Sequence, residues 1–322
     1  MQSDEIANIL DSLLPGQSTI HHTLIAGLPS GTPVYLSVYV YKGLESGPTL
    51  LISGGLHGDE VNGVEIVRRL IESENLKVKK GNVIAIPLIN IYGFLNFNRE
   101  LPDGKDANRS FPGVKMGSLA SRVAWHVTNM ILPNIDMGID FHTGGANRSN
   151  FPQVRCDFLD STALEMATSF SPPLIVNSTY IDGSLRYEAK KYGKSIVVYE
   201  AGQSLRFSEF AIEHGIAGTL RFLYKYGFTD ANPTDMIQLP PIIINRSTWI
   251  RAEDAGLFQF YIDEGMQIQE GQKLGQISDP FNEYQRIVTS PVNGFAIGVN
   301  YSPVVYAGDA LIHIGLVDVD GT

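Results

Sequence analysis

A histidine and a glutamate three positions apart, His57 and Glu60, follow a short apolar run that ends at two glycines. An imidazole nitrogen and a carboxylate oxygen are both ligands of a divalent zinc ion, and this spacing lets them converge on one ion. The alternative is a loop histidine followed by a glutamate that the helix dipole favours at a helix N-terminus. Residues 50–60 taken alone leave both interpretations open.

The pattern on either side of this pair predicts the elements that hold it. Residues 49–53 form a buried-type strand, and residues 61–71 place apolar side chains at helical spacing. Residues 82–88 form a second apolar run of strand length. A strand–helix–strand order is typical of a βαβ unit in a parallel sheet. We therefore predict an α/β fold with a mostly parallel central sheet that is flanked by helices.

Two further predicted strands end in groups that can do chemistry, since His142 follows one apolar run and Glu200 follows another. In an open α/β sheet the carboxyl ends of parallel strands line one edge, and ligands bind there. Two histidines and one glutamate make a three-ligand zinc set that leaves a fourth position for water, which is the catalytic arrangement. We therefore expect His57, Glu60 and His142 to meet at this edge, with Glu200 beside them.

Four motifs, in this order along the chain, resemble those of the succinylglutamate desuccinylase/aspartoacylase family, which is itself similar to zinc carboxypeptidases. They are Gly-Gly-Leu-His-Gly-Asp-Glu at 54–60, Asp-Ala-Asn-Arg-Ser-Phe-Pro-Gly at 106–113, Asp-Phe-His-Thr-Gly-Gly at 140–145 and Tyr-Glu-Ala-Gly at 199–202. One departure is Ala107, where relatives often carry Leu. The resemblance implies a zinc carboxypeptidase-like catalytic domain that binds one zinc ion per chain.

Carried over residue by residue, the resemblance also implies roles in amide hydrolysis. The zinc ligands are His57, Glu60 and His142. Glu200 matches the general base, which takes a proton from water and hands it to the leaving amine. Arg99 matches the arginine that steadies the developing oxyanion.

Three more residues are candidates for binding the substrate. Asn108 and Arg109 match the family's pair that grips the substrate carboxylate, and an arginine fork suits that task because it stays charged. Arg155 could reach a second group of the substrate. The alternative for each arginine is a structural salt bridge or a solvated loop position.

Composition narrows the class of protein. Of the 322 residues, 43% are hydrophobic and 18% are charged, which is typical of a globular protein. A net charge of −10 argues against a nucleic-acid partner. No run of about 18 apolar residues occurs, so we expect no membrane span. The acidic start at Asp4 and Glu5 is unlike a secretory signal, and the single Cys156 excludes an internal disulfide, so we expect a cytoplasmic protein.

The sequence pattern changes in the C-terminal quarter of the chain. Strand-like runs with frequent glycine dominate there, and two similar β-rich halves begin at Gly256 and Gly294. We therefore predict a zinc-dependent catalytic α/β domain over 1–245 and a smaller all-β domain, a sandwich or barrel-sandwich, over 246–322. Such halves are also typical of lipoyl or biotinyl carriers, but residues 278–293 lack the lysine that a carrier needs.

These observations favour a zinc-dependent amidohydrolase that removes the acyl group from a small N-acylated amino acid. The nearest alternative is a carboxypeptidase that uses the same metal and the same arginine on the C-terminal carboxylate of a peptide. The C-terminal β domain argues against it, because in the resembling deacylases that domain narrows access to the site. The acyl group, the amino acid and the oligomeric state, a homo-oligomer included, stay open.

Overall fold

The computed structural model describes residues 4–233, 240–281 and 283–317, so residues 1–3 and 234–239 of the predicted first domain and residues 282 and 318–322 of the predicted second domain lie outside it. Within the described residues there are seven α-helices, namely α1 (Asp4–Ser12), α2 (Val61–Glu72), α3 (Ile91–Leu95), α4 (Leu119–His126), α5 (Ser161–Phe170), α6 (Leu185–Lys191) and α7 (Glu209–Lys225). Short 3-10 or π turns cover Ala107–Arg109, Val127–Ile131 and Leu132–Asn134.

The same residues form seventeen strands. They are β1 (Ser18–Gly27), β2 (Pro33–Lys42), β3 (Glu45–Gly54), β4 (Lys80–Ile86), β5 (Met137–Gly144), β6 (Arg148–Cys156), β7 (Leu174–Asn177), β8 (Ser195–Gln203), β9 (Ile242–Ile244), β10 (Arg246–Arg251), β11 (Gly256–Phe260), β12 (Gln267–Ile268), β13 (Lys273–Ser278), β14 (Gln285–Thr289), β15 (Gly294–Asn300), β16 (Val304–Val305) and β17 (Ala310–Leu316).

Thirteen of these strands form one sheet in the order β1-β2-β4-β3-β5-β8-β6-β15-β17-β10, with β12, β7 and β9 pairing off this path. The centre, β4-β3-β5-β8, is parallel, and β6, β7 and β9 are parallel to one another. The other seven pairs are antiparallel. The α/β class is confirmed, but the prediction of a mostly parallel sheet is wrong, because a buried apolar strand looks the same in sequence whichever way its neighbour runs.

Helices cover both faces of the sheet. On one face α2, α5 and α7 bury residues such as Ile66, Met166 and Phe222 in a single hydrophobic cluster. On the other face α1, α4 and α6 contribute to a second cluster, with Ile6 and Val123 among its members. The predicted βαβ unit is confirmed, since β3 and β4 pair in parallel on either side of α2 along the chain. No helix in the described part of the chain is long and apolar enough to cross a membrane.

The C-terminal region is β-rich, as predicted, but its strands divide between two sheets. Strands β14-β13-β11-β16 form a separate four-stranded sheet, whereas β12, β15, β17 and β10 belong to the large sheet. The junction is the antiparallel pairing of β15 with β6, for example Gly298 with Asn150. These strands share a hydrophobic cluster that includes Phe258 and Ile312. The division into domains at residue 245 stays a prediction.

Candidate metal centre and active site

The structure brings His57, Glu60 and His142 together at the carboxyl ends of the parallel strands. His57 and Glu60 lie in the turn between β3 and α2, and His142 lies in β5, the neighbour of β3. Their exposed fractions are 3%, 1% and 4%. One potential ligand atom from each residue lies within 4.8 Å of the others. Residues that are far apart in sequence therefore offer one buried donor set.

The distances inside this set suit a small divalent ion. The Nδ1 atoms of His57 and His142 are 3.1 Å apart, and the Glu60 carboxylate lies 2.8 Å from the first and 2.7 Å from the second. Ligands about 2.0–2.1 Å from a tetrahedral zinc lie about 3.3 Å from one another. Two nitrogens and a carboxylate are also ligand types that zinc prefers. The residues therefore fit zinc without rearrangement of the backbone.

Two more carboxylates orient the imidazoles. His142 Nε2 lies 2.8 Å from Asp140 Oδ2, and His57 Nε2 lies 3.2 Å from Asp106 Oδ1. Metal-binding histidines commonly donate their second ring N–H to a carboxylate, which fixes the tautomer. With the proton on Nε2, both Nδ1 lone pairs point into the gap beside Glu60. Asp140 is itself held by the Ser53 hydroxyl, at 2.7 Å.

The electrostatics of the set favour an ionised Glu60. Burial opposes ionisation, but the two imidazoles outweigh it and hold the pKa of Glu60 far below its usual value. Burial likewise lowers the pKa of His142, yet Asp140 and Glu60 together raise it well above 6.5. The pKa of His57 is also raised, because Glu60 and Asp106 outweigh burial. The surroundings of this site therefore favour positive charge on the two imidazoles, beside an ionised Glu60.

Glu200 lies beside the donor set on the next strand. Its register partner across the parallel β5–β8 pair is His142, so both side chains project from the same face of the sheet. Asn150 Nδ2 donates a hydrogen bond of 2.6 Å to Glu200 Oε2. Arg155 Nη1 lies 3.6 Å from Glu200 Oε1. Glu200 is thus held next to the candidate metal site by an amide and flanked by a guanidinium.

Arg99 contacts the donor set directly, but its guanidinium already forms hydrogen bonds with carboxylates of the site. Its Nη1 lies 3.1 Å from Glu60 Oε1, and its Nη2 donates to Asp106 Oδ2 at 2.9 Å.

Asn108 lies in the 3-10 turn after Asp106, and its Oδ1 accepts a hydrogen bond from the Leu185 N–H at the start of α6. Among the residues that the structure describes, none accepts a hydrogen bond from the Asn108 amide nitrogen, so this nitrogen can donate to a ligand.

Arg109 lies next to Asn108 and is exposed, with its Nη1 on the Asn108 carbonyl oxygen. Like Asn108 and Arg155, it lines one pocket of about 630 Å³ together with the donor set and Glu200. The structure therefore brings every residue singled out in the sequence into a single cavity. The role of each one stays a prediction.

Sequence reasoning missed Arg186, which lines the same pocket. It lies in the first turn of α6, is only 8% exposed, and bonds to the Thr179 carbonyl, the Ser178 hydroxyl and the Arg155 carbonyl. Burial lowers the pKa of its guanidinium. Among the described residues it forms no salt bridge with a carboxylate, although Asp157 lies near enough to favour its charge. The one local feature of the sequence that could have drawn attention to Arg186 is its position two residues after Ser184, the N-cap of α6.

The chain matches known proteins both in sequence and in structure. The succinylglutamate desuccinylase/aspartoacylase catalytic domain matches residues 46–226. An N-alpha-acetyl-L-2,4-diaminobutyric acid deacetylase from Halomonas elongata is 28% identical over 267 residues, which cover 76% of this chain and 75% of the relative.

Solved structures show that the fold is shared along nearly the whole chain. The product-bound ectoine utilization protein EutE (DoeB) from Ruegeria pomeroyi has a TM-score of 0.81 at 22% identity and covers 95% of this chain and 98% of its own. A succinylglutamate desuccinylase/aspartoacylase from Rhodobacter sphaeroides has a TM-score of 0.80 at 23% identity, with 92% and 94% covered. Because the catalytic-domain match spans more than half of the sequence, this chain belongs to the succinylglutamate desuccinylase/aspartoacylase family.

Proposed function

We propose that this protein is a zinc-dependent deacylase that hydrolyses the amide bond of a small N-acylated amino acid. The observation that carries the proposal is the convergence of His57, Glu60 and His142 on one buried point with Glu200 on the adjacent strand. Membership of the family supports the same reaction class, and so does the Halomonas elongata relative, which is a deacetylase of an N-acetylated amino acid.

The side chains of the pocket divide the work of such a reaction. When bound to the His57, Glu60 and His142 set, zinc would supply a Lewis acid and would allow water to ionise near neutral pH. Glu200 would accept the proton of the attacking water and deliver it to the leaving amine. Arg99, which reaches the edge of the donor set, would stabilise the negative charge that develops on the amide oxygen.

The arginine-rich side of the pocket would bind the substrate. Asn108 and Arg109 would hold the carboxylate of the amino acid, with the fork of Arg109 as the charged partner. Arg186 offers a second, buried guanidinium. Arg155 is engaged with Glu200 at 3.6 Å, so we place it as a group that also orients the base. A substrate that carries at least one carboxylate suits this surface.

The competing proposal, a carboxypeptidase, uses the same metal and the same arginine. The walls of the pocket argue against a long peptide, because Trp249 and His313 from the C-terminal strands line it beside the catalytic groups. A free peptide chain needs an open cleft on that side.

The test is a panel of substrates given to zinc-loaded protein. N-acetyl and N-succinyl amino acids are compared with dipeptides whose N-terminus is unblocked, and the release of free amine is measured for each. We expect release from the N-acyl amino acids. Release only from the dipeptides would assign the carboxypeptidase reaction, and release from neither would end the hydrolase proposal.

A further inference from the structure

The pocket extends beyond the catalytic groups onto strands of the C-terminal region. Arg148 of β6, Trp249 of β10 and His313 of β17 line it in addition to the residues already assigned. A volume of about 630 Å³ is typical of sites that enclose drug-sized ligands. An N-acetyl amino acid is much smaller than that, so part of the pocket needs another explanation.

The pairing of the strands places this extension relative to Glu200. Asn150, whose amide donates to Glu200, pairs with Gly298 of β15, and Gly298 pairs with His313 of β17. Two strand spacings of about 4.8 Å put His313 about 10 Å from Asn150 along the sheet. Trp249 is the register partner of His313 one strand further on. Gly298 has no side chain, so none stands between Asn150 and His313 in this row.

Aromatic rings form the pocket wall at this end, and one of them has a polar atom without a hydrogen-bond partner. The rings of Trp249 and His313 stack with centroids 4.4 Å apart and an interplanar angle of 5°. His313 is 9% exposed, and its Nε2 bonds to the Ser247 hydroxyl at 2.8 Å, but its Nδ1 has no hydrogen-bond partner. A buried polar atom without a partner is costly, and a ligand that bonds to it would remove that cost.

A neutral His313 ring can donate from that atom to an anion when its other nitrogen accepts a hydrogen bond. Burial, with a smaller contribution from Arg155, lowers the pKa of His313 to about 3, so the ring is neutral near pH 7. If the Ser247 hydroxyl donates to Nε2, the single ring proton lies on Nδ1. An acceptor such as a carboxylate oxygen is then the group that completes the hydrogen bonding of His313.

Arg148 supplies a cation at the same place. Its guanidinium lies 5.8 Å from the centroid of the Trp249 ring, the side chain is exposed, and no described residue gives it a carboxylate partner. The four carboxylates that line the pocket have other partners, Glu60 and Asp106 with Arg99, Asp140 with His142, and Glu200 with Arg155 and Asn150. The charge at this end of the pocket is therefore positive and open to a ligand.

We propose that Arg148, Trp249 and His313 form a second subsite, which binds a carboxylate at the end of a chain of the substrate, remote from the scissile amide. The proposal rests on the proposed deacylase function and names its substrate class. The substrate is an N-acyl amino acid in which the acyl group, or the amino-acid side chain, is longer than succinyl and ends in a carboxylate. The aromatic wall covers the methylene groups, and the arginine and the imidazole bind the terminal charge.

A binding experiment tests the subsite without any chemistry. The chain has two tryptophans, so Trp125→Phe leaves Trp249 as the only indole reporter. Zinc-loaded protein of this background is titrated with succinate, glutarate, adipate and pimelate, and with hexanoate as a chain that lacks the second charge. We expect Trp249 emission to change with adipate or pimelate at a Kd at least tenfold below that for hexanoate. Equal affinities for adipate, pimelate and hexanoate would overturn the proposal.

A matched pair of variants tests whether Arg148 binds the terminal carboxylate of the ligand. Arg148→Gln should remove the tenfold preference for the dicarboxylate. Arg286→Gln, which deletes an arginine that pairs with Asp254 in the separate small sheet, should keep it. If Arg148→Gln keeps the preference as well, the terminal carboxylate is not bound at this subsite and the proposal fails.

Kinetics then distinguish the two positions at which the chain could be attached. N-adipoyl-alanine and N-acetyl-α-aminoadipate are compared with N-acetylalanine. Arg148→Gln should lower kcat/KM at least tenfold for one of the two longer substrates and leave N-acetylalanine within twofold of wild type. Equal losses on all three, or none, would contradict the subsite. If wild-type protein hydrolyses no N-acyl amino acid, the deacylase function fails, whereas the fluorescence titration still decides whether the subsite exists.

Discussion

The imidazoles of His57 and His142 face each other through their Nδ1 atoms at 3.1 Å, and each turns its Nε2 toward a carboxylate. Two lone pairs at that distance repel each other unless a proton or a cation lies between them. Glu60 lies within 2.8 Å of both rings, so the gap is negatively polarised. The arrangement therefore suits a cation bound between the two rings.

We predict that His57→Ala abolishes stoichiometric zinc binding, because two of the three donors cannot hold the ion with the affinity of the full set. The measurement is zinc per chain after gel filtration, by mass spectrometry of the metal. His22→Ala is the matched control, since His22 is exposed and contacts Ser37 on the hairpin of β1 and β2. One zinc per chain retained in the His57 variant would contradict the ligand assignment.

Asp140→Asn should weaken zinc binding by about 10–100-fold without preventing folding. Asp140 fixes the orientation of the His142 ring at 2.8 Å, and an amide in its place cannot support the same charge. Competition with a chromophoric chelator measures the affinity. Asp230→Asn, at an exposed aspartate that pairs with Lys79, should leave it unchanged. Equal affinity in the two variants would show that Asp140 has no effect on the metal.

Glu200→Gln should keep the zinc but lower kcat by about 10²–10⁴-fold, the usual range for loss of a general base. The amide is nearly the same size and can still bond to Asn150, so the geometry is preserved while the proton acceptor is lost. Steady-state kinetics and metal content are measured together. Glu213→Gln, at an exposed glutamate of α7, serves as the control. Unchanged turnover in the Glu200 variant would remove Glu200 from the mechanism.

Gly63→Ala should destabilise the protein, because α2 packs directly on β5 at this glycine. A Cβ at Gly63 would lie 2.5 Å from the Phe141 carbonyl oxygen, which is backbone and cannot rotate away. Overpacking costs about 1–3 kcal/mol, against about 1 kcal/mol gained from helix propensity, so we expect a net loss of up to about 2 kcal/mol. Urea unfolding measures it. In Gly27→Ala, the control, the nearest atom is 3.5 Å away. A Gly63 variant as stable as wild type would show that the helix shifts freely.

Asp160 should give stability that depends on pH. It caps α5 and accepts hydrogen bonds from Ser195, Tyr180 and Lys190, which outweigh burial and lower its pKa from 3.8 to about 2. The native state thus favours the ionised form, so this contribution of about 2 kcal/mol is present above pH 3.8 and is lost as the pH falls toward 2.

Asp160→Asn is the variant that tests this contribution, because asparagine can still cap the helix without the charge. Chemical unfolding at pH 6 and at pH 3 should show a difference from wild type that shrinks at the lower pH. A difference independent of pH would mean that the charge of Asp160 does not stabilise the fold.

The candidate metal centre shows how much of the site could be predicted from local sequence. Ligand type and spacing at His57 and Glu60 are local properties, and the helical period after them located α2 within a residue of its end. Membership of the family, inferred from four short motifs, is confirmed by the match over residues 46–226. The direction of the strands outside the parallel centre could not be inferred in this way, because pairing partners are chosen by the tertiary fold.

The sequence by itself determined which groups are candidates for the chemistry, because the identities of His57, Glu60, His142 and Glu200 and their places after apolar runs are local features of the chain. Only the tertiary structure decided what surrounds them. Arg186 and the wall of Trp249 and His313 reach the pocket through a short helix and through the pairing of β15 with β6. Contacts between residues more than a hundred positions apart depend on packing and sheet order, and no local pattern encodes them.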